Sequence, residues 1–195
     1  MIPLTRPAGP VPSPFKADQQ ARFDAGFSQA VAKYPADKSR AALLAVLHLA
    51  QELLGWLPEA AMAYVGFKLD VPPARVREVA TFYTMYRLKP VGRHHLEICN
   101  SVSCWAMGSE ALLKHAEKKL GVHPGEVTPD GNFSVGEVAC LAGCGYAPAM
   151  VVNNYRYCEA MTPERFDALV EELKNKPGQE MGEFPSNHDT GRAHG

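Results

Sequence analysis

The chain has 195 residues, 46% of them hydrophobic, enough for one ordinary domain or two small ones with buried cores. Its 20 basic and 21 acidic residues leave a net charge of −1, which excludes a strong electrostatic footprint for nucleic acid or anionic lipid. The most apolar stretch, Ala41 to Leu54, is interrupted by His48, Gln51 and Glu52 and is shorter than the ~20 residues of a membrane helix, so no direct membrane span is expected. The N-terminus, Met1-Ile-Pro-Leu-Thr-Arg-Pro, has neither an apolar signal core nor a transit-peptide pattern. It reads as cytoplasmic, and a presequence already removed would look the same.

Residues 1–13 contain four prolines and 175–195 are rich in Gly, Pro, Ser, Asn and His, so both ends read as flexible tails. Between them, residues 14–88 read as a small helical bundle. Phe23, Phe27 and Val31 recur at helical spacing from about Asp18, and Pro35 ends that run. A second helix, capped by Asp37 or Ser39, carries Leu43, Val46, Leu47, Ala50 and Leu54 on one face and stops at Gly55. Pro58 suits the first turn of a third, with Met62, Val65 and Leu69 inward. A fourth opens at Pro72-Pro73 and buries Val76, Val79, Ala80 and Tyr83.

The period then changes, and residues 89–174 read as an α/β domain. His94 to Cys99 alternates as a half-buried strand, in which at least one of His94 and His95 is expected at the surface. Ser109 to Leu120 is a helix with Leu112, Leu113, Ala116 and Leu120 as its stripe and Gly121 as its stop. Phe133 to Ala139 is a second strand. Ala149 to Val152 and Tyr155 to Glu159 flank Asn153-Asn154, a pair that tolerates positive φ and fits a two-residue hairpin. Thr162-Pro163 opens a last helix with Phe166, Leu169, Val170 and Leu173 inward. The fold class is therefore α+β.

Five cysteines in a chain too large to depend on disulfides favour a reducing compartment and metal or redox roles. Cys99 and Cys104 form a C-x4-C pair, Cys140 and Cys144 a C-x3-C pair, with 35 residues between them. Each pair is expected where a strand runs out into a loop, among small residues such as Ser101, Ser103, Gly143 and Gly145 that let backbone wrap an object larger than one ion. A 2Fe-2S cluster with four thiolates carries about −2 charge, and about −3 when reduced, so it wants N–H donors and no acidic neighbours. Neither cysteine loop contains Asp or Glu. The competing readings are a structural zinc, which usually draws its cysteines from tight x2 knuckles, and a dithiol oxidoreductase, which wants C-x-x-C. Cys158 reads as a structural thiol; as a catalytic one it would need a low pKa that the sequence does not disclose. No G-x-G-x-x-G or Walker loop is present, so NADH and FMN are not expected to bind here.

With those residues in hand, the chain resembles the thioredoxin-like 2Fe-2S subunits of respiratory complex I, the 24-kDa subunit family, over roughly residues 38–174. The marks are Gly55-Trp56-Leu57-Pro58, the run Val79-Ala80-Thr81-Phe82-Tyr83-Thr84-Met85-Tyr86, Lys89-Pro90-Val91-Gly92, and Cys140-Leu141-Ala142-Gly143-Cys144 with Ala147-Pro148. The resemblance implies a helical bundle followed by a thioredoxin-like domain, and one 2Fe-2S cluster on Cys99, Cys104, Cys140 and Cys144. It also implies docking onto a larger subunit that binds FMN and NADH, among the other peripheral-arm subunits of that complex, at the inner membrane. Similar subunits serve NAD-linked hydrogenases and formate dehydrogenases, so the parent complex is less sharply defined than the cluster.

Overall fold

The computed structural model describes residues 9–176; most of the two expected tails lies outside them. The chain divides into two compact units, Met1–Pro90 and Val91–Gly195.

The first unit contains α1 (Ala17–Val31), α2 (Leu43–Leu54), α3 (Glu59–Leu69) and α4 (Pro73–Phe82). The central helix is α2, whose Val46, Leu47 and Ala50 are fully buried with Phe23, Leu57, Val65 and Val76. Phe23 stacks on Phe15 at 4.6 Å and tilts against Tyr64 at 5.5 Å, closing one end of this core. Gly26 brings α1 close to α2: a Cβ there would meet Leu49 Cδ2 at 2.8 Å. The chain leaves α2 through Gly55 at φ +80, a conformation that costs glycine nothing.

Two helix starts differ from expectation. Neither Asp37 nor Ser39 caps α2, because both lie in a 3-10 segment, Ala36–Ala42, kinked at Lys38. That segment runs directly into α2 and supplies the carbonyls a cap would otherwise replace. Pro58 precedes α3 as its extended N-cap instead of entering its first turn. Tyr83 lies just past α4 and is only partly buried, whereas Tyr86 is buried and its hydroxyl donates to the Leu44 carbonyl at 2.8 Å.

The second unit contains β1 (His94–Cys99), α5 (Val102–Ala106), α6 (Ser109–Leu120), β2 (Phe133–Val138), β3 (Met150–Val152), β4 (Arg156–Cys158) and α7 (Pro163–Leu173). The sheet order is β2-β1-β3-β4, with β1 and β2 parallel and the other two pairings antiparallel. This strand–helix–strand–hairpin–helix order is thioredoxin-like. The expected two-residue hairpin is corrected: Val152 pairs with Arg156, so the connection has three residues, Asn153 to Tyr155, with Asn153 and Asn154 at φ +52 and +67. Leu96, Ile98, Val135, Met150 and Val152 pack against Leu112 and Ala116 of α6 and Phe166, Leu169 and Val170 of α7.

The expectation of a half-buried β1 is corrected. It is a central strand, and His94 and His95 are both buried. They point to opposite faces, and each has its own partner. His94 packs on Phe133 at 5.6 Å and its Nε2 lies 3.2 Å from the Lys176 carbonyl oxygen. His95 Nδ1 lies 2.7 Å from the hydroxyl of buried Ser134, which also accepts the Gly92 N–H at 2.9 Å. Cys158 is part-buried against the same core, as a structural thiol would be.

Candidate metal centre

Parallel pairing decides where the cysteines meet. Because β1 and β2 run side by side with Cys99 opposite Val138, both chains leave the sheet at the same end. Cys99 is the last residue of β1 and Cys140 follows β2 by two residues. The chain returns to that end before β3, where the Cys99 N–H donates to the Ala149 carbonyl at 3.0 Å. Cys144 opens a single 3-10 turn, Cys144–Tyr146, after Ala142 at φ +56, and a cis peptide joins Ala147 to Pro148.

Cys104 departs from the expected loop. It sits on α5, a five-residue helix that turns it inward. Cys99 and Cys104 are therefore buried, while Cys140 and Cys144 are exposed, and all are free thiols. The Cys99 sulfur neighbours those of Cys104 and Cys140, and Cys104 lies within the electrostatic reach of Cys144. All four predicted residues thus lie at this end of the sheet, Cys104 and Cys140 beside Cys99 and Cys144 near enough for its charge to act on Cys104.

Backbone donors surround these sulfurs. Burial raises the Cys99 pKa, but the N–H groups of Ser101 and Leu141, together with the Cys104 and Cys140 thiols, overcome it and hold the thiol below its ordinary value. Cys104 goes the other way: burial, then the Cys99 and Cys144 charges, raise it against one N–H from Ala149. The Ala142 N–H donates to Cys140 Sγ at 3.3 Å. These donors are what sequence reasoning did not name, since they belong to backbone conformation; the only signal was the run of small residues around each pair.

Among the described residues, no group of three or more His, Cys, Asp or Glu side chains converges as a site for one metal ion. The sulfurs are fringed by N–H groups, and neither cysteine loop contains a carboxylate, a donor set whose chemistry fits an anionic 2Fe-2S cluster. Gly143 keeps the second loop close to the sheet end, since a Cβ there would meet the Ala149 Cβ at 3.2 Å.

A sheet of this order, with two cysteine pairs at the end of its parallel strands, defines a thioredoxin-like protein. Residues 27–174 match the family described as Thioredoxin-like [2Fe-2S] ferredoxin, and the chain belongs to that family. It is 44% identical over 146 residues to an NADH-quinone oxidoreductase subunit of Rickettsia bellii, covering 74% of this chain and 87% of that one. It is 38% identical over 154 residues to NADH-quinone oxidoreductase subunit 2 of Thermus thermophilus, covering 79% and 85%. Among solved structures, an NAD+-reducing [NiFe]-hydrogenase in the H2-reduced state superposes with a TM-score of 0.60 at 29% identity. That match covers 69% of this chain and 22% of the hydrogenase chain. No helix among the described residues is long and apolar enough to cross a membrane.

Proposed function

We propose that Cys99, Cys104, Cys140 and Cys144 hold one 2Fe-2S cluster, and that the chain is an electron-transfer subunit of an NADH-quinone oxidoreductase. In this reading it exchanges single electrons with FMN in a partner subunit that oxidises NADH, on the cytoplasmic side and among the other peripheral-arm subunits. The observation that carries the reading is the gathering of four thiols from two distant segments at one sheet end, under N–H donors, in a chain of this family.

When bound, the cluster supplies a low-potential one-electron centre. The chain's own residues do the rest. Cys99 and Cys104 form the buried side, and the Ser101, Leu141 and Ala149 N–H groups are oriented before any charge arrives, so little reorganisation accompanies it. The exposed Cys140 and Cys144 form the side on which the electron enters and leaves.

The hydrogenase neighbour favours a second reading, the equivalent subunit of an NAD-linked hydrogenase or formate dehydrogenase, with the same cluster and a different parent complex. A zinc-stabilised assembly module is the alternative in which the cysteines carry no electrons. An anaerobic dithionite titration with visible absorption, low-temperature EPR and iron, sulfide and zinc analysis separates them. About two irons and two sulfides per chain, with a bleaching chromophore and a one-electron EPR signal, is the expected result. A colourless protein with stoichiometric zinc would reject the carrier.

A further inference from the structure

Gln51 is the most deeply buried polar side chain of α2, at 2% exposed. Its amide serves the backbone of a distant segment: Nε2 donates to the Met85 carbonyl at 2.9 Å, and Oε1 accepts the Arg87 N–H at 2.6 Å. One side chain thus supplies the two bonds that a neighbouring strand would give an extended segment. The Arg87 carbonyl accepts the Leu57 N–H at 2.8 Å, and Tyr86 is tied through its hydroxyl to the Leu44 carbonyl. Residues 85–87 are therefore fastened to α2 and to the turn that follows it.

This segment is the way out of the bundle, since α4 ends at Phe82 and β1 begins at His94. The chain is next fixed where the Gly92 N–H meets Ser134 Oγ and the Arg93 N–H donates to the Gly131 carbonyl at 3.0 Å. With residues 85–87 held, only Leu88 to Val91 lie between the two fixed points. That is about 14 Å of fully extended chain. Freed back to Tyr83, the span becomes Thr84 to Val91, about 28 Å.

A titratable pair adjoins the clamp. His48 and Glu52 flank Gln51 on α2, with Nε2 and Oε1 3.6 Å apart, and the Glu52 side chain is 9% exposed. The His48 ring meets Tyr86 edge to face at 6.4 Å, and the Arg87 charge acts on it. From α1, Arg22 acts on Glu52. Burial lifts Glu52 to about 7, whereas burial and Arg87 lower His48. Acid therefore neutralises Glu52 first and charges His48 second. The imidazolium then forms beside Arg87 when the carboxyl across from it is already neutral, and two like charges repel more strongly away from bulk water. That repulsion falls on the segment bearing Tyr86 and Arg87.

We infer that residues 85–87 form an acid-released latch, clamped to α2 by Gln51 and opened when His48 takes a proton, which sets how much free chain precedes Gly92.

The test is amide hydrogen exchange on the full-length chain at about pH 7.5 and about pH 5, corrected for the intrinsic effect of pH on exchange. The Arg87 and Leu57 N–H groups report the latch; Val46 and Leu47 in α2 and Leu96 and Ile98 in β1 are the controls. Protection of Arg87 and Leu57 is expected to fall about 10-fold or more at the lower pH while the controls hold. His48→Gln should keep the latch closed at both pH values, and Gln51→Leu should leave it open at both. If Gln51→Leu fails to fold, the wild-type chain and His48→Gln decide. Protection that does not change with pH in the wild-type chain would overturn the latch, as would a loss shared by the controls. An acid loss that persists in His48→Gln would remove His48 as the trigger, and wild-type protection in Gln51→Leu would remove Gln51 as the clamp.

Discussion

Cys99 and Cys140 lie in different surroundings although they serve one site: Cys99 is buried under backbone donors, and Cys140 is exposed with one. Cys140→Ser is expected to lower cluster occupancy severely while leaving the far-ultraviolet spectrum unchanged, since no core packing is removed. A normal cluster at full occupancy would reject Cys140 as a ligand. In the bundle, Glu52 Oε1 lies 3.6 Å from His48 Nε2, and its other carboxylate oxygen is buried without a hydrogen-bond partner among the described residues. Burial pushes Glu52 up to about 7 against the pull of Arg22, and burial with the Arg87 charge pushes His48 down. Because the folded pKa of Glu52 is raised, its stabilising effect is complete below about pH 4.5 and is lost as pH rises through about 7. The lowered His48 works oppositely, its effect being lost as pH falls below its ordinary value near 6.5. Glu52→Gln should therefore remove about 3 kcal/mol of the stability otherwise lost between pH 5 and 8, read from urea midpoints. An unchanged pH profile would mean the carboxyl is solvated. The four cysteines were legible because spacing and the absence of acidic neighbours are properties of the sequence. The donors around them and the burial that raises the Glu52 pKa were not, since both depend on where the backbone turns.

At the scale of elements, periodicity reported the long helices and the strands well, and it failed where an element was too short or too central. The five residues of α5 span little more than one turn, too few for a helical stripe to register, so Cys104 was expected on a loop. Strand β1 alternates in sequence as a half-buried strand would, yet it is central in the sheet and both of its histidines are buried. Gly92 shows why one marker residue was informative beyond its family. A Cβ there would lie 2.3 Å from the Phe133 carbonyl carbon, a collision with backbone that no rotamer relieves. Gly92→Ala should push β2 away from the entry to β1, weaken the Gly92–Ser134 and Ser134–His95 hydrogen bonds, and cost about 1–3 kcal/mol in chemical denaturation. A variant as stable as wild type would show that the sheet edge yields freely.

For the whole molecule, the change from helical to alternating period was legible, and each compact unit has its own buried core. The lack of acidic residues around the cysteines was legible too, whereas the exposure of Val102, Trp105, Met107 and Tyr146 was not, because exposure is a property of the assembled surface. Deleting residues 1–88 should leave cluster absorption intact and weaken association with the flavin-bearing subunit; pull-down at the wild-type level would deny the bundle any part in docking. The asymmetry of the thiols also bears on the order of events in the cell. With Cys99 and Cys104 enclosed and Cys140 and Cys144 at the surface, iron and sulfide have one direction of approach. Loading of the site is therefore expected to depend on access at Cys140 and Cys144, so capping those two exposed thiols in the empty chain should block reconstitution while Cys99 and Cys104 stay unmodified.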